Sequence, residues 1–259
     1  MMTRIGEKFV ALRRQGRKAF VGFLTAGDPS LERTAEIAVD LERAGVDVLE
    51  LGVPFSDPLA DGPVIQRASE RALKRGVTFA RVLELVATIR RRSQLPLLLF
   101  TYLNPLVRFG LRRAAEQAVA SGADGVLVTD LPPEEAEEWL ATARAAGLDT
   151  VFLASPTSPE ARLRRVAEAS RGFVYAISRT GVTGEREALS EDARPLVARL
   201  KALTDEPVAV GFGISRPEQV ASVAAVADGV VVGSALVRFL EQQPAGDLAA
   251  QVRWLKSGM

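Results

Sequence analysis

The sequence predicts an α/β protein with a single (β/α)8 barrel domain that covers residues 1–259. Short apolar segments recur along the chain and alternate with longer amphipathic segments, the pattern of strand–helix units around a parallel sheet. Eight such apolar segments are present, and 259 residues is close to the roughly 250 that one barrel of this kind needs. An open sheet with helices on both sides would also contain strands that are apolar on both faces. The count of eight and the chain length favour closure into a barrel.

The composition excludes several functional classes. Basic and acidic residues number 33 and 32, and without a basic patch no nucleic-acid-binding surface is expected. The chain contains no cysteine and no histidine, which excludes disulfides, thiolate zinc sites and a cysteine nucleophile. Acid–base chemistry near neutral pH therefore falls to carboxylates, lysine, tyrosine or a cofactor. No apolar stretch approaches the ~18 residues of a membrane span, so we expect no membrane association and a cytoplasmic location.

The predicted strands are the short apolar segments, taken in chain order. They comprise residues 19–25, 46–53, 96–102, 125–129, 150–154, 173–177, 207–211 and 229–232. The predicted helices between them have apolar residues three and four positions apart. They comprise residues 30–44, 78–91, 111–121, 133–146, 159–169, 186–203 and 217–225, with further helices beginning near Val64 and Ser234.

Recurrent start and stop signals support these helices. A proline or a capping residue precedes several of them, as at residues 28–30 and 158–160. Glycine follows three predicted helices just before a strand, where left-handed backbone geometry commonly ends a helix. These three signals lie in residues 44–47, 121–124 and 146–149.

The second predicted strand carries a glutamate that is expected inside the barrel. Because side chains alternate along a strand, Glu50 shares a face with Val48 and Gly52, while Leu49 and Leu51 take the other. The larger apolar side chains suit the layer between sheet and helices, which places Glu50 in the barrel near its catalytic end. Burial raises the pKa of a carboxylate, and a raised pKa suits an acid–base group. The alternative interpretation is an internal salt bridge, because structural ion pairs also bury glutamates.

The loop after this strand, residues 54–63, contains Asp57 and Asp61 among turn-forming residues. Asp57 precedes a proline and can simply shape the turn. Asp61 precedes Gly62-Pro63, so an N-cap or Asx turn explains its position as well as catalysis does. The two aspartates could also bind magnesium. No further acidic cluster lies nearby, however, and we predict no metal site.

Three late loops are rich in glycine and favour binding of a phosphate. They are residues 178–184, 211–215 and 233–236, which follow the sixth, seventh and eighth predicted strands. Glycine lets backbone N–H groups approach an anion, and a helix that begins near Ser234 would direct its positive end to the same place. Tight turns that serve only packing are the alternative. The pattern is shared by many barrel enzymes, so it indicates a phosphorylated ligand rather than a reaction.

The segment from Leu49 to Gln66, LELGVPFSDPLADGPVIQ, resembles the signature of the tryptophan synthase alpha family. The resemblance continues in order through residues 22–29, 101–105, 178–184 and 211–215, so it covers nearly the whole chain. It implies a carbon–carbon lyase of tryptophan biosynthesis that cleaves indole-3-glycerol phosphate into indole and D-glyceraldehyde 3-phosphate. Small departures occur at Phe100, where aliphatic residues are also common, and in residues 154–158.

The resemblance also implies roles for individual residues. Glu50 and Asp61 correspond to the family's two catalytic carboxylates. The residues implied beside the substrate are Phe23, Tyr102, Leu127, Tyr175, Thr183 and Phe212. Those implied at the phosphate are Gly184, Gly213, Gly233 and Ser234. Thr183 resembles a threonine that helps to position the aspartate when the loop after the sixth strand closes as a lid.

These roles form a hypothesis for the reaction. Glu50 would move protons as general acid and base, while Asp61, on a polar loop, would stay ionised, accept the indole N–H and stabilise positive charge on the ring. The resemblance implies no cofactor in this chain. It further implies an α2β2 heterotetramer with a tryptophan synthase beta subunit that carries pyridoxal phosphate. Residues 54–58 and the turn at residues 104–105 are expected to face that subunit.

Two other functions are compatible with parts of this pattern. Another phosphate-binding barrel isomerase or synthase would share the glycine-rich loops, although it would lack the segment of residues 50–66. A non-catalytic barrel that only activates the beta subunit would have no physical need for a buried Glu50 beside Asp61.

Overall fold

The computed structural model describes residues 2–177, 193–211 and 213–259 of the chain. Its strands are β1 (Ala19–Thr25), β2 (Val48–Gly52), β3 (Leu97–Thr101), β4 (Gly125–Val128), β5 (Asp149–Val151), β6 (Leu153–Ala154), β7 (Val174–Ile177), β8 (Val208–Gly211) and β9 (Gly229–Val232). All the described pairings between them are parallel, in the spatial order β5-β4-β3-β2-β1-β9-β8-β7-β6.

The sheet closes at the fifth predicted strand. Its first half, β5, pairs with β4, and its second half, β6, pairs with β7. Phe152 lies between the two halves, and its carbonyl accepts the Tyr175 N–H at 3.1 Å. Val151 and Leu153 pack into the barrel interior while Phe152 packs outside it, so the alternation of side chains continues across the break. The predicted (β/α)8 barrel is therefore confirmed, with its fifth strand divided between two neighbours.

Alternation along the strands separates two apolar cores. Val21, Val48 and Leu127 pack inside the barrel. Leu49 and Leu51 pack in the larger core between the strands and the surrounding helices. The predicted orientation of the second strand is thus confirmed, and it leaves Glu50 on the interior face.

The helices surround the barrel. They are α1 (Arg4–Arg14), α2 (Leu31–Arg43), α3 (Pro63–Lys74), α4 (Phe79–Arg90), α5 (Leu103–Phe109), α6 (Leu111–Ser121), α7 (Glu137–Ala146), α8 (Glu160–Ala169), α9 (Ala193–Lys201), α10 (Pro217–Ala224), α11 (Ser234–Gln242) and α12 (Leu248–Lys256). The start and stop signals predicted from the sequence correspond to local interactions at the helix ends. The Ser30 hydroxyl accepts the Arg33 N–H at 3.1 Å and caps α2. Gly122 and Gly147 end α6 and α7 with φ values of 98° and 84°, which glycine adopts without strain.

Some elements differ from the sequence prediction. Residues 104–105, predicted as a turn, lie in α5, where Pro105 occupies the first turn and removes an N–H that would have no helical partner. The predicted helix of residues 133–146 begins with a separate 3-10 turn, Pro133–Glu135. The helix α12 was not predicted. Of the predicted helix 186–203, the described part is α9.

The amino-terminal helix α1 closes one end of the barrel. Its Ile5, Phe9 and Leu12 are buried in the barrel interior, against residues such as Phe173. The rings of Phe9 and Phe173 lie with centroids 5.5 Å apart. The opposite end, where the strands reach their carboxyl termini, holds the candidate site. In the part of the chain that the structure describes, no helix has the length and apolar character needed to cross a membrane.

Candidate active site

A cavity lies at the carboxyl ends of the strands, beside the first turns of α3 and α11. It is lined by Phe23, Glu50, Asp61, Ile65, Phe100, Tyr175, Gly213, Ile214, Val231, Gly233 and Ser234. The structure thus brings together both predicted catalytic carboxylates, two of the predicted substrate residues and three of the predicted phosphate residues. These groups come from positions between 23 and 234, and the closed barrel is what makes them neighbours.

Glu50 lies in the wall of this cavity and is almost completely buried, with 1% of its surface exposed. Its Oε1 atom has no hydrogen-bond partner among the described residues. Burial raises the pKa of Glu50 from 4.5 to about 8, because an ionised carboxylate loses its hydration inside the barrel. No ion pair to Glu50 occurs within residues 2–177, 193–211 and 213–259. The alternative of an internal salt bridge therefore finds no support.

Asp61 is held by Tyr102, which lies 41 positions later in the chain. The Tyr102 hydroxyl donates to Asp61 Oδ2 at 3.1 Å and accepts the Ala60 N–H at 3.1 Å. The Gln66 side chain donates to the Asp61 carbonyl at 2.8 Å. Gly62 rather than Asp61 is the N-cap residue of α3 and makes no side-chain cap bond. The N-cap interpretation of Asp61 is therefore wrong.

The environment of Asp61 also differs from the predicted polar loop. The residue is only 6% exposed, because α3 and Tyr102 cover it. Burial raises the pKa of Asp61 from 3.8 to about 6, and the hydrogen bond from Tyr102 opposes the rise. Both carboxylates of the cavity thus have raised pKa values, and Glu50 has the higher one.

Aromatic rings form much of the remaining wall. The Phe23 and Phe100 rings meet edge to face, with centroids 5.4 Å apart and an interplanar angle of 83°. Glycine at position 52 makes room for Phe23, since a Cβ atom there would lie 2.5 Å from the ring. Glycine at position 211 likewise leaves space for the phenol of Tyr175. Gly52 lies on the same face of β2 as Glu50. The alternation that directs Glu50 into the barrel therefore also brings position 52 against Phe23, where glycine leaves room for the ring.

Two predicted substrate residues do not line the cavity directly. Tyr102 contributes through its bond to Asp61 and stacks on Phe55, with ring centroids 4.9 Å apart. Leu127 is fully buried in the interior core together with Tyr175. Both residues therefore support groups of the wall from behind.

Two of the predicted phosphate residues lie at the start of α11. Gly233 is the N-cap of this helix and Ser234 its first residue. The first N–H groups of a helix have no partner inside it, so they are available to an anion. Gly213 has a left-handed φ of 79° in the loop after β8 and faces the same cavity. The other predictions for this region, Thr183, Gly184 and Phe212, lie outside the described residues.

Sequence reasoning missed several cavity residues. From the sequence, Phe100 is identified only as a departure from the family pattern. Alternation in β3 places it on the interior face with Leu98. Ile65 and Ile214 lie in a helix and a loop after strands, where no periodic signal distinguishes a site residue from a packing residue. Among the described residues, no group of three or more acidic or other ligand side chains is arranged to hold a metal ion.

Comparison with known proteins places these features in a family. A family model described as the tryptophan synthase alpha chain matches residues 9–257. The alpha chain of Solibacter usitatus is 57% identical over 241 residues, which is 93% of this chain and 90% of that protein. The alpha chain of Geobacter sulfurreducens is 50% identical over 258 residues, covering 100% of this chain and 98% of that protein.

Solved structures give the same result. A tryptophan synthase structure from Mycobacterium tuberculosis superposes with a TM-score of 0.93 at 41% identity, covering 100% of this chain and 98% of that chain. A chain of the tryptophan synthase α2β2 complex from Pyrococcus furiosus has a TM-score of 0.87 at 42% identity, covering 92% of this chain and 98% of that chain. The similarity therefore extends over the barrel and the elements that form the cavity.

Proposed function

The chain belongs to the tryptophan synthase alpha chain family, carbon–carbon lyases that cleave indole-3-glycerol phosphate into indole and D-glyceraldehyde 3-phosphate, and we propose that Glu50 and Asp61 carry out this cleavage here. The full-length match supports the lyase over the two alternatives, another phosphate-binding barrel and a non-catalytic activator. Both carboxylates line the same cavity, so one substrate molecule can contact both of them.

The reaction requires two proton movements around one carbon–carbon bond. Neutral Glu50 donates a proton to C3 of the indole, which places positive charge on the ring nitrogen. The Glu50 carboxylate then removes the proton of the glycerol hydroxyl next to the ring. As the carbon–carbon bond breaks, its electron pair returns to the ring and the hydroxyl carbon becomes the aldehyde. Glu50 regains its proton in the same step, so it acts as both general acid and general base.

Asp61 stabilises the charge that develops during this sequence. Its carboxylate accepts the indole N–H, and the interaction strengthens as the ring nitrogen becomes positive. Asp61 is only 6% exposed, so bulk water screens this attraction less than it would at the surface. Tyr102 keeps the carboxylate in place through its hydrogen bond.

The observation that carries this proposal is the pair of pKa values within one cavity. The pKa of Glu50 is raised to about 8 and that of Asp61 to about 6. Near pH 7 Glu50 is therefore mostly protonated and Asp61 mostly ionised. This is the combination that an acid catalyst and an electrostatic stabiliser require.

The substrate would bind with its phosphate at α11 and its ring among the aromatic groups. The N–H groups at Gly233 and Ser234, which have no partner within α11, suit the phosphate, and Gly213 leaves the backbone accessible beside it. Phe23, Phe100 and Ile65 offer apolar surface to the indole. The proposed contributions of Thr183, Gly184 and Phe212 depend on the family resemblance alone.

A tryptophan synthase beta subunit is the proposed partner, in an α2β2 assembly in the cytoplasm. The related Pyrococcus furiosus protein forms an α2β2 complex. Next to residues 54–58 and 104–105, Leu59 is 86% exposed and Val107 is 54% exposed, which gives this side of the molecule apolar surface for a partner. Pyridoxal phosphate would belong to the beta subunit rather than to this chain.

Steady-state cleavage of indole-3-glycerol phosphate in EDTA tests the roles of the carboxylates. We expect Glu50→Gln and Asp61→Asn each to lower kcat by about 100-fold or more, with a much smaller change in KM, since each removes a transition-state interaction. Glu84→Gln, which changes an exposed glutamate on α4, is the matched control and should retain wild-type kcat. A Glu50→Gln enzyme with normal turnover would refute the assignment.

A further inference from the structure

Four strands of the barrel begin beside an aspartate, and three of these aspartates have the same structural role. Asp47, Asp124 and Asp228 each accept a backbone N–H from the start of a neighbouring strand, at 2.8 to 3.0 Å. Each also forms an ion pair with a cationic side chain. The partners are Lys256 for Asp47, Arg4 and Arg90 for Asp124, and Lys18 and Lys201 for Asp228. These three carboxylates therefore join neighbouring strands.

Asp149, at the start of β5, does not share this role. Its carboxylate accepts the hydroxyl of Thr3, the N-cap residue of α1. It forms no ion pair within 4.0 Å in the described part of the chain. Burial is the main cause that raises the pKa of Asp149, to about 6. The hydrogen bond from Thr3 and the charge of Arg171 oppose the rise, while the nearby carboxylates of Glu206 and Asp124 add to it. In the described residues, the Asp149 carboxylate therefore lacks the cationic ion-pair partner that Asp47, Asp124 and Asp228 each have.

Asp149 faces a cavity at the amino-terminal end of the barrel, opposite the catalytic end. The volume of this cavity is about 650 Å³, within the roughly 300 to 1,000 Å³ typical of small-molecule sites. Glu206 and Asp205 provide two further acidic residues in its wall. Arg13 and Arg171 contribute two guanidinium groups, and Phe9 and Val10 contribute apolar surface from α1.

The opposite charges of this cavity lie close enough to attract one another, although Asp149 and Glu206 form no ion pair within 4.0 Å among the described residues. Arg171 and Arg13 lie near enough to Glu206 to affect its pKa, yet neither forms an ion pair with it within 4.0 Å in the described residues. Arg171 is oriented by the carbonyls of Ser170 and Glu168, at 2.7 and 3.3 Å. A purely anionic ligand would meet three acidic residues here, and a purely cationic ligand would meet two guanidinium groups. A ligand with one charge of each sign avoids both repulsions.

We propose that this cavity binds a small zwitterion, an α-amino acid with an apolar side chain. The ammonium group lies between Asp149 and Glu206, and the carboxylate pairs with Arg171 and Arg13. The apolar side chain packs against Phe9 and Val10. The site is separate from the catalytic cavity, since the interior core of the barrel lies between them.

Calorimetric titration of the full chain with L-phenylalanine and L-leucine tests the proposal. We expect saturable binding of both, and binding about tenfold or more weaker for N-acetyl-L-phenylalanine and L-phenylalaninamide, which lack one charge each. Asp149→Asn and Arg171→Gln should each weaken L-phenylalanine binding by about tenfold. Glu7→Gln, which removes an exposed carboxylate of α1 outside the cavity, should leave the affinity unchanged. N-acetyl-L-phenylalanine and L-phenylalaninamide test the role of each ligand charge without any change to the protein.

Three outcomes would overturn the proposal. The first is the absence of saturable binding by the wild-type chain up to ~20 mM of either amino acid, weaker than any specific site would give. The second is an affinity that is the same in Asp149→Asn and wild type. The third is loss of L-phenylalanine binding when indole-3-glycerol phosphate saturates the Glu50→Gln variant, which would place the amino acid in the catalytic cavity.

Discussion

At the scale of single residues, the two carboxylates of the catalytic cavity differ in how they are compensated for the loss of water. Glu50 lies inside the barrel and receives no hydrogen bond at Oε1 from the described residues. Asp61 is also buried, but the Tyr102 hydroxyl donates to it. One donor stabilises the charged form of a carboxylate, so the pKa of Asp61 rises less than that of Glu50. The Tyr102 hydroxyl therefore contributes to the difference between Glu50, which is mostly protonated near pH 7, and Asp61, which is mostly ionised there.

The roles proposed for these two groups predict the pH dependence of kcat/KM. Activity should rise as Asp61 ionises near pH 6 and fall as Glu50 loses its proton near pH 8, because the reaction needs ionised Asp61 and protonated Glu50. Tyr102→Phe removes the donor to Asp61, so the acidic limb should move to higher pH while the basic limb stays in place. A profile that is flat from pH 5 to pH 9 would contradict both assignments.

Glu50 also makes folding stability depend on pH. Because its pKa is raised in the folded chain, the folded state holds a proton that the unfolded state releases above pH 4.5. The stability that the folded state gains from this proton is fully present below pH 4.5 and is lost as the pH rises toward 8. Glu50→Gln has no such proton to lose, so it should be more stable than wild type at pH 8, by on the order of 3 kcal/mol, and similar at pH 5.

Urea denaturation at pH 5 and pH 8 measures this difference. Glu84→Gln, an exposed substitution, should show no comparable gain at pH 8. If wild type were the more stable protein at pH 8, Glu50 would have to be ionised and compensated in the folded chain.

At the scale of secondary-structure elements, two helices that carry parts of the site are joined by charged side chains. Asp61 immediately precedes α3, and the proposed phosphate site begins α11. Arg71 of α3 donates to both oxygens of Asp28, at 2.9 and 2.7 Å, and to Glu241 of α11 at 2.7 Å. Arg67 donates to the same Glu241 through two nitrogens. These arginines therefore fix the distance between the carboxylate end and the phosphate end of the cavity.

Arg71→Gln tests this connection. The substitution leaves the carboxylate of Asp28, which is 7% exposed, without its cationic partner, so we expect a loss of about 1 to 3 kcal/mol in the free energy of unfolding. The KM for indole-3-glycerol phosphate should rise as well. Arg112→Gln breaks an exposed pair with Glu116 on α6 and should cost less than about 0.5 kcal/mol. Equal losses in the free energy of unfolding for Arg71→Gln and Arg112→Gln would show that the ion pairs of Arg71 stabilise the fold no more than an exposed pair does.

At the scale of the whole molecule, α1 makes the barrel a closed core at one end. Its apolar face enters the interior beside Phe173, while the catalytic cavity opens at the other end. The barrel thus separates a packed, stabilising end from an end built of loops and helix starts. The proposed amino-acid site lies at the rim of the packed end, where α1 meets the start of β5.

Ile5→Ala measures how much α1 contributes. Ile5 is fully buried, so its truncation should lower the free energy of unfolding by about 2 to 5 kcal/mol. Val10→Ala changes the same helix on its exposed side, with Val10 37% exposed, and should cost less than about 1 kcal/mol. Similar small losses in both variants would mean that α1 is not part of the cooperative core. Chemical denaturation at pH 7 provides the comparison.

The barrel and the inward orientation of Glu50 follow from local features of the sequence. Alternation along β2 depends only on backbone geometry, so it directed Glu50 inward before any contact was known. Capping by Ser30 and the glycines that end α6 and α7 are equally local. The segment of residues 49–66 identified the family because its motif is long and continuous. In each case the cause lies within a few residues of the effect.

The environment of Asp61 and the absence of an ion pair at Asp149 in the described residues depend on contacts between segments that are distant in the chain. Tyr102 meets Asp61 through the pairing of β3 with β2, and Asp61 is buried although the sequence placed it on a polar loop. Asp149 follows a glycine signal like those before Asp47 and Asp124, yet packing leaves it without an ion-pair partner among the described residues. Burial and pKa depend on what distant segments place around a group, and a local pattern contains no record of those neighbours.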